Sequence, residues 1–196
     1  KYAYESGKIV MDLIEKNLKP RDIVTKQSLI NAAIVVSASG GSTNAGLHLP
    51  AMAHEAGIDF SLDDVTKIFQ TTPYIGNLAP GGKYVAKDLY EVGGVPVLIK
   101  VLIDGGLIDG SCMTVTGKSL SDNVKDVEVP TNQDVIYPIN KPISKTGGVV
   151  GLKGSLAPEG AIVKIAGLQK LQFKGSAICF EREEDALSAV LEGKIK

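Results

Sequence analysis

Gly40-Gly41-Ser42-Thr43-Asn44 gathers three small hydrogen-bonding side chains behind a pair of glycines. If one helix ends at the glycines and the next begins after them, the first N–H groups of the second helix are free. Its positive end then faces the turn, which suits an anion such as a substrate carboxylate. The same residues also make an ordinary N-cap, with Ser42 or Thr43 satisfying those N–H groups internally. The pattern alone leaves both readings open.

Other chemistry-bearing residues offer less. Gly117-Lys118-Ser119 looks like the end of a phosphate loop, but the glycine required five places earlier is Cys112. No Gly-x-Gly-x-x-Gly follows a strand-like run, so a dinucleotide site has no support. His48 and His54 are six apart, about 120° from facing each other on a helix, and do not form the i, i+4 metal pair. Cys112 and Cys179 lack a Cys-x-x-Cys pairing, which argues against a disulfide scaffold or a structural zinc site and points to a reducing cytosol. Both read as small buried residues. Asp63-Asp64 reads as a carboxylate pair at a positive helix start, and Glu181 to Asp185 as a solvated helix entry.

Helical spacing of apolar residues between caps sets the frame that must hold these groups. Tyr2, Ile9, Val10, Leu13 and Ile14 mark a first helix that stops before Pro20. Thr25 caps a second, whose buried stripe is Leu29, Ala32, Ala33, Ile34 and Val36, and Gly40-Gly41 breaks it. A third helix starts at Ser42 or Thr43 and ends at Gly57, with Pro50 expected to kink or restart it. Ser61 opens a fourth, Thr72 to Gly82 is loop, and further helices cover Tyr84 to Glu91, Val95 to Ile103 and Ser119 to Lys125.

The texture then changes. Val135 to Tyr137, Val149 to Leu152, Ala161 to Ile165, Leu171 to Phe173 and Ala177 to Phe180 are short β-rich runs between Pro and Gly turns, as in a small barrel or sandwich. A last helix covers Glu183 to Leu191. The fold class is therefore α/β, mostly helical over residues 1–126, with a linker at 127–134 and a β-rich unit over 135–196.

A length of 196 residues fits one large domain or two small ones. The net charge of −1 gives no electrostatic footprint for nucleic acid or an anionic lipid surface. Apolar runs fall well short of the roughly 18 residues that span a bilayer. The start, Lys1-Tyr2-Ala3-Tyr4-Glu5, has neither a signal-peptide pattern nor an initiating Met.

Several blocks, in one order, resemble the dihydroxy-acid and sugar-acid dehydratase family. They are Gly40 to Ala45 continuing through Leu47-His48-Leu49 to Ala53-His54-Glu55-Ala56-Gly57; Leu62-Asp63-Asp64; Gly82-Lys83-Tyr84 with Asp88-Leu89; and Gly93-Gly94-Val95-Pro96. Gly105-Gly106-Leu107, Cys112 to Lys118, Pro142-Ile143 with Thr146-Gly147-Gly148, Leu156 to Gly160 and Val163-Lys164-Ile165 continue the match across the whole chain. Within the family, Thr114 to Lys118 and Asp88-Leu89 look like the branched-chain amino-acid enzymes.

The resemblance implies loss of water from a 2,3-dihydroxy-carboxylic acid of the dihydroxyisovalerate type to give a 2-keto acid in valine and isoleucine synthesis. It also implies an iron-sulfur cluster, [2Fe-2S] or [4Fe-4S], acting as Lewis acid on the 3-hydroxyl, and Mg2+ holding the carboxylate and 2-hydroxyl. The architecture it implies is an α/β N-terminal domain joined to a β-barrel-like swivelling β/β/α domain, in a cytoplasmic homodimer. The family's cluster cysteines, in Cys-Asp-Lys and Gly-x-Cys motifs, would precede Lys1. Its serine base, in Thr-Asp-Gly-Arg-x-Ser, and a metal-binding Glu would follow Lys196. Two cysteines cannot supply three thiolates, so the chain is expected to be an internal stretch with no catalytic or metal-binding residue of its own. An excerpt cut between elements should leave apolar helix faces and strand edges uncovered. Ser42, Thr43 and Asn44 are expected to line the floor of the substrate site, with His48 behind them. The contrasting readings are a sugar-acid (aldonate) dehydratase and a non-catalytic scaffold module.

Overall fold

The computed structural model of the chain describes residues 2–168 and 170–195. Helices α1 (Tyr2–Glu15), α2 (Pro20–Ile23), α3 (Lys26–Ala38), α4 (Thr43–Ala56), α5 (Leu62–Thr71), α6 (Ala86–Glu91), α7 (Gly94–Asp104) and α8 (Leu120–Val124) come first. An antiparallel hairpin of β1 (Val149–Gly154) and β2 (Ala157–Lys164) and a final helix α9 (Glu183–Leu191) follow. The fold is thus mostly helical with a small two-stranded sheet.

Three helices start for one physical reason. The hydroxyls of Thr25, Ser61 and Ser119 each accept from the backbone N–H three residues on, and the side chain at that position accepts from the cap's own N–H. Each reciprocal pair satisfies two donors that helix geometry leaves free.

Helix α3 lies at the centre and buries more than one side. Leu29 and Ala33 join Ala45, Leu49, Ala53, Phe60, Val65, Phe69 and Val149 in one core. Ile34 and Ala38 join Ile75, Val97, Leu98, Leu102, Ile108, Val135 and Ile136 in a second. A helix between two cores needs small and apolar residues on several faces, which is why its pattern is broader than a single stripe. The hairpin lies over α4 and α5, where Gly151 leaves room for the Thr66 methyl, only 2.4 Å from where a Cβ would stand.

The structure corrects several expectations. Helix α1 stops before Pro20 as expected, but Pro20 also opens a short helix that was not expected, α2, where its missing N–H costs nothing. Helix α4 continues through Pro50, held together by buried Leu49 and Ala53 on either side. Helix α6 begins at Ala86 because Tyr84 is engaged in a bridge with Leu78 and donates its hydroxyl to Asp134. Val135 to Tyr137 forms a single bridge, Gly76 with Ile136, and Pro138 follows without an N–H to extend a ladder. Leu171 to Phe173 and Ala177 to Phe180 form no strand, and their apolar side chains stand exposed. Strand propensity without a neighbouring edge does not make a strand. Helix α1 likewise buries none of its residues, and Tyr2, Tyr4, Val10, Met11 and Ile14 face outward.

Candidate functional site

The turn between α3 and α4 is built on two glycines with positive φ, Gly40 (113°) and Gly41 (77°). They close α3 through Gly40 N–H to the Ser37 carbonyl at 3.2 Å and Gly41 N–H to the Val36 carbonyl at 2.8 Å. Side chains are excluded there for spatial reasons as well. A Cβ on Gly41 would stand 2.3 Å from a Val149 methyl, and one on Gly40 would stand 3.2 Å from the Tyr74 ring.

After the turn, Ser42 takes the N-cap position of α4, and its Oγ accepts from the Asn44 N–H at 3.3 Å. The N-cap expectation from sequence is therefore met by Ser42. The cap leaves donors over, because the N–H groups of Ser42 and Thr43 reach no protein acceptor among the described residues. Thr43 and Asn44 are exposed and Ser42 is half-buried, so the two free N–H groups and three polar side chains share one accessible helix start. His48 is exposed one turn beyond Asn44, at the i+4 spacing that puts both on one face. His54 is also exposed, on the last turn of α4.

The hairpin reaches this turn from more than a hundred residues away. Val149 and Lys164 are cross-strand partners. The Val149 methyl fills the space a Gly41 side chain would need, and the Lys164 ammonium donates to the Gly41 carbonyl at 2.9 Å. Neither contact has a local sequence signal. Beneath the turn, the hydroxyls of Ser37 and Tyr74 are buried without a hydrogen-bond partner among the described residues. Burial pushes the Tyr74 hydroxyl above its ordinary pKa, so it stays protonated.

No group of three or more His, Cys, Asp or Glu among the described residues is arranged to hold a metal ion. Cys112 is half-buried and accepts from the Asn31 side-chain amide at 3.4 Å. Burial, and then the nearby Asp109 charge, push its thiol up, away from the thiolate a metal needs. Cys179 is exposed rather than buried, because its segment forms no regular element and its side chains stand exposed. These residues do not fit a cluster. A concavity of about 700 Å³ between the end of α7 and residues 129–140 is mostly apolar and lies away from the α4 start. Its lining includes Asp104, Thr131, Gln133 and Asn140 but none of the residues that the sequence singles out, so the α4 start, with its free N–H groups, remains the better candidate. No helix among the described residues is long and apolar enough to cross a membrane.

Comparison with known proteins places both parts of the chain. Residues 1–123 match the family model described as dihydroxy-acid/6-phosphogluconate dehydratase N-terminal, and residues 134–196 match its C-terminal counterpart. The chain is 60% identical, over 96% of its length, to dihydroxy-acid dehydratase 2 of Bradyrhizobium diazoefficiens, covering 33% of that protein. It is 61% identical to dihydroxy-acid dehydratase of Parvibaculum lavamentivorans over 96% of the chain and 33% of the relative. Its identity to the dihydroxy-acid dehydratase of Pelagibacter ubique is 60%, over the whole chain and 34% of the relative. The chain spans about a third of the length of these relatives.

Proposed function

Because the chain belongs to the dihydroxy-acid/6-phosphogluconate dehydratase family, we propose that the complete protein is a hydro-lyase acting on a 2,3-dihydroxy-carboxylic acid of the dihydroxyisovalerate type. It removes water and releases a 2-keto acid for valine and isoleucine synthesis. One observation carries the reading: the likeness to proteins named dihydroxy-acid dehydratase runs through both the helical part and the hairpin part of this chain. An aldonate dehydratase is less favoured, since those relatives carry the dihydroxy-acid name.

In this reading, residues 1–126 end the first domain, 127–134 link, and 135–196 begin the β-rich second domain of a cytoplasmic homodimer. Ser42, Thr43 and Asn44 contact the substrate. Two free N–H groups at a positive helix end favour its carboxylate, and the Thr43 and Asn44 side chains offer hydrogen bonds to its hydroxyls. His48, one turn on, orders the groups behind Asn44. The iron-sulfur cluster and Mg2+ that family membership suggests would supply Lewis acidity. Since the described residues do not fit either group, their holders, like the base that takes the C2 proton, belong to other parts of the protein.

Asn44→Ala in the complete protein tests the site, because Asn44 leaves the Ser42 cap oxygen in place. A rise in KM for 2,3-dihydroxyisovalerate of about tenfold, the loss of one substrate hydrogen bond, is expected. Unchanged turnover and KM in both Asn44→Ala and Ser42→Ala would remove these residues from the site.

A further inference from the structure

The Gly41–Ser42 peptide is held unevenly. Its N-terminal side is fixed by α3, through the Gly41 N–H on the Val36 carbonyl. Its C-terminal side is fixed by the Ser42 cap on Asn44. The peptide plane between them is oriented by one bond to its carbonyl, the 2.9 Å donation from Lys164. Gly41 lies in the left-handed region at φ 77° and, as glycine, meets little steric resistance to turning this plane. In a trans peptide the C=O and the following N–H point in opposite directions. The ammonium that holds the Gly41 carbonyl on the hairpin side therefore aims the Ser42 N–H away from the hairpin, into the free helix start.

Two further features make this contact directional. Lys164 forms no ion pair with a carboxylate among the described residues, and its ammonium donates to the Gly41 carbonyl. Its cross-strand partner Val149 presses on the same glycine. Directly opposed residues of an antiparallel pair share a sheet face, so the hairpin grips Gly41 twice from one side. The grip joins a residue of the segment matching the C-terminal family model to the turn of the segment matching the N-terminal one.

We infer that Lys164 is a positioning residue of the α4 start: through the Gly41 carbonyl it sets the direction in which the Ser42 N–H is presented, and the second segment thereby shapes the site of the first. A positive charge on that carbonyl also polarises the shared peptide and strengthens the Ser42 N–H as a donor. The inference rests on the reading that Ser42 to Asn44 contact substrate, and its test separates the two.

The test compares the complete protein with Lys164→Met, Lys164→Arg and Val149→Ala, reading amide exchange at Gly41, Asn44 and Ala45, kcat and KM, and thermal midpoint. Lys164→Met is expected to speed exchange at those three amides about tenfold while the amides of mid-α3 keep their protection. KM rises about tenfold with a smaller change in kcat, since a ground-state contact is misaimed. Lys164→Arg, which keeps a charged donor, restores most of both effects. Val149→Ala loosens the same amides with the lysine intact, which supports the double grip if Lys164→Met fails to fold. Faster exchange with unchanged KM supports the positioning role and removes the substrate role of Ser42 to Asn44 instead. Unchanged exchange in Lys164→Met, or an arginine variant no better than the methionine one, overturns the inference.

Discussion

Asn31 pairs with the backbone of Asp109 in both directions: its side-chain amide donates to the Asp109 carbonyl at 2.8 Å, and its side-chain oxygen accepts from the Asp109 N–H at 3.0 Å. Asn31 is buried on α3 while Asp109 lies in an exposed loop, so this amide ties the loop after α7 to α3. Asn31→Ala removes both hydrogen bonds from the Asp109 backbone, and a loss of about 1–3 kcal/mol is expected at roughly 0.5–1.5 per bond. A lowered unfolding midpoint in urea with an unchanged slope measures it; a loss below the error of the fit contradicts the assignment.

Gly41 and Gly57 predict losses of different size from the same substitution. Both have positive φ, 77° and 72°, but a Cβ at Gly41 meets Val149 at 2.3 Å and one at Gly57 meets nothing within 4 Å. Gly57→Ala should cost about 1 kcal/mol, the strain of the left-handed region alone. Gly41→Ala adds overpacking of about 1–3 kcal/mol. Val149→Ala in the Gly41→Ala background should recover part of that excess, and a double-mutant cycle on unfolding free energies reads the coupling directly.

The Asp64 carboxylate accepts from the Ser61 N–H and hydroxyl, and this holds its pKa below the usual carboxylate value, the backbone bond contributing most. A depressed folded-state pKa means its stabilisation is present above the unfolded value, near 3.9, and is lost as pH falls through the lower folded value. Asp64→Asn should therefore be less stable at pH 7, by about 0.5–1 kcal/mol for a weakened capping box. It should also show a shallower decline from pH 5 towards pH 2. Parallel curves for the two proteins across that range would contradict the role of Asp64.

Tyr2, Tyr4, Leu171, Phe173 and Leu191 are each more than two-thirds exposed. So much apolar surface at both ends of one chain favours association. These 196 residues, expressed alone, should self-associate or melt over a broad range, checked by light scattering and calorimetry. A soluble monomer with one sharp transition is the contrary result.

What the sequence made legible follows from range. Thr25, Ser61 and Ser119 act within one helical turn, and reading them placed the starts of α3, α5 and α8 within a residue. Helix α1 stops before Pro20 as read, whereas the short α2 was missed because a helix breaker in mid-helix is a helix starter at the first turn. Leu171 to Phe180 carries strand-forming residues, yet strands need an edge, and no neighbour among the described residues provides one. At the site, the glycine turn and the Ser42 cap were readable because they are local. The Lys164 contact on Gly41 and the unpartnered Tyr74 hydroxyl were not, since each depends on segments distant in the chain meeting at the turn.

The central claim, dehydration of a dihydroxy acid, is tested most directly by product. The purified complete protein, with its metal groups loaded, is given 2,3-dihydroxyisovalerate or an aldonate at equal concentration, and 2-keto acid is quantified over time. Faster stoichiometric formation of 2-ketoisovalerate is the predicted result. No keto acid from either compound, or a rate with the aldonate that exceeds the rate with dihydroxyisovalerate, contradicts it.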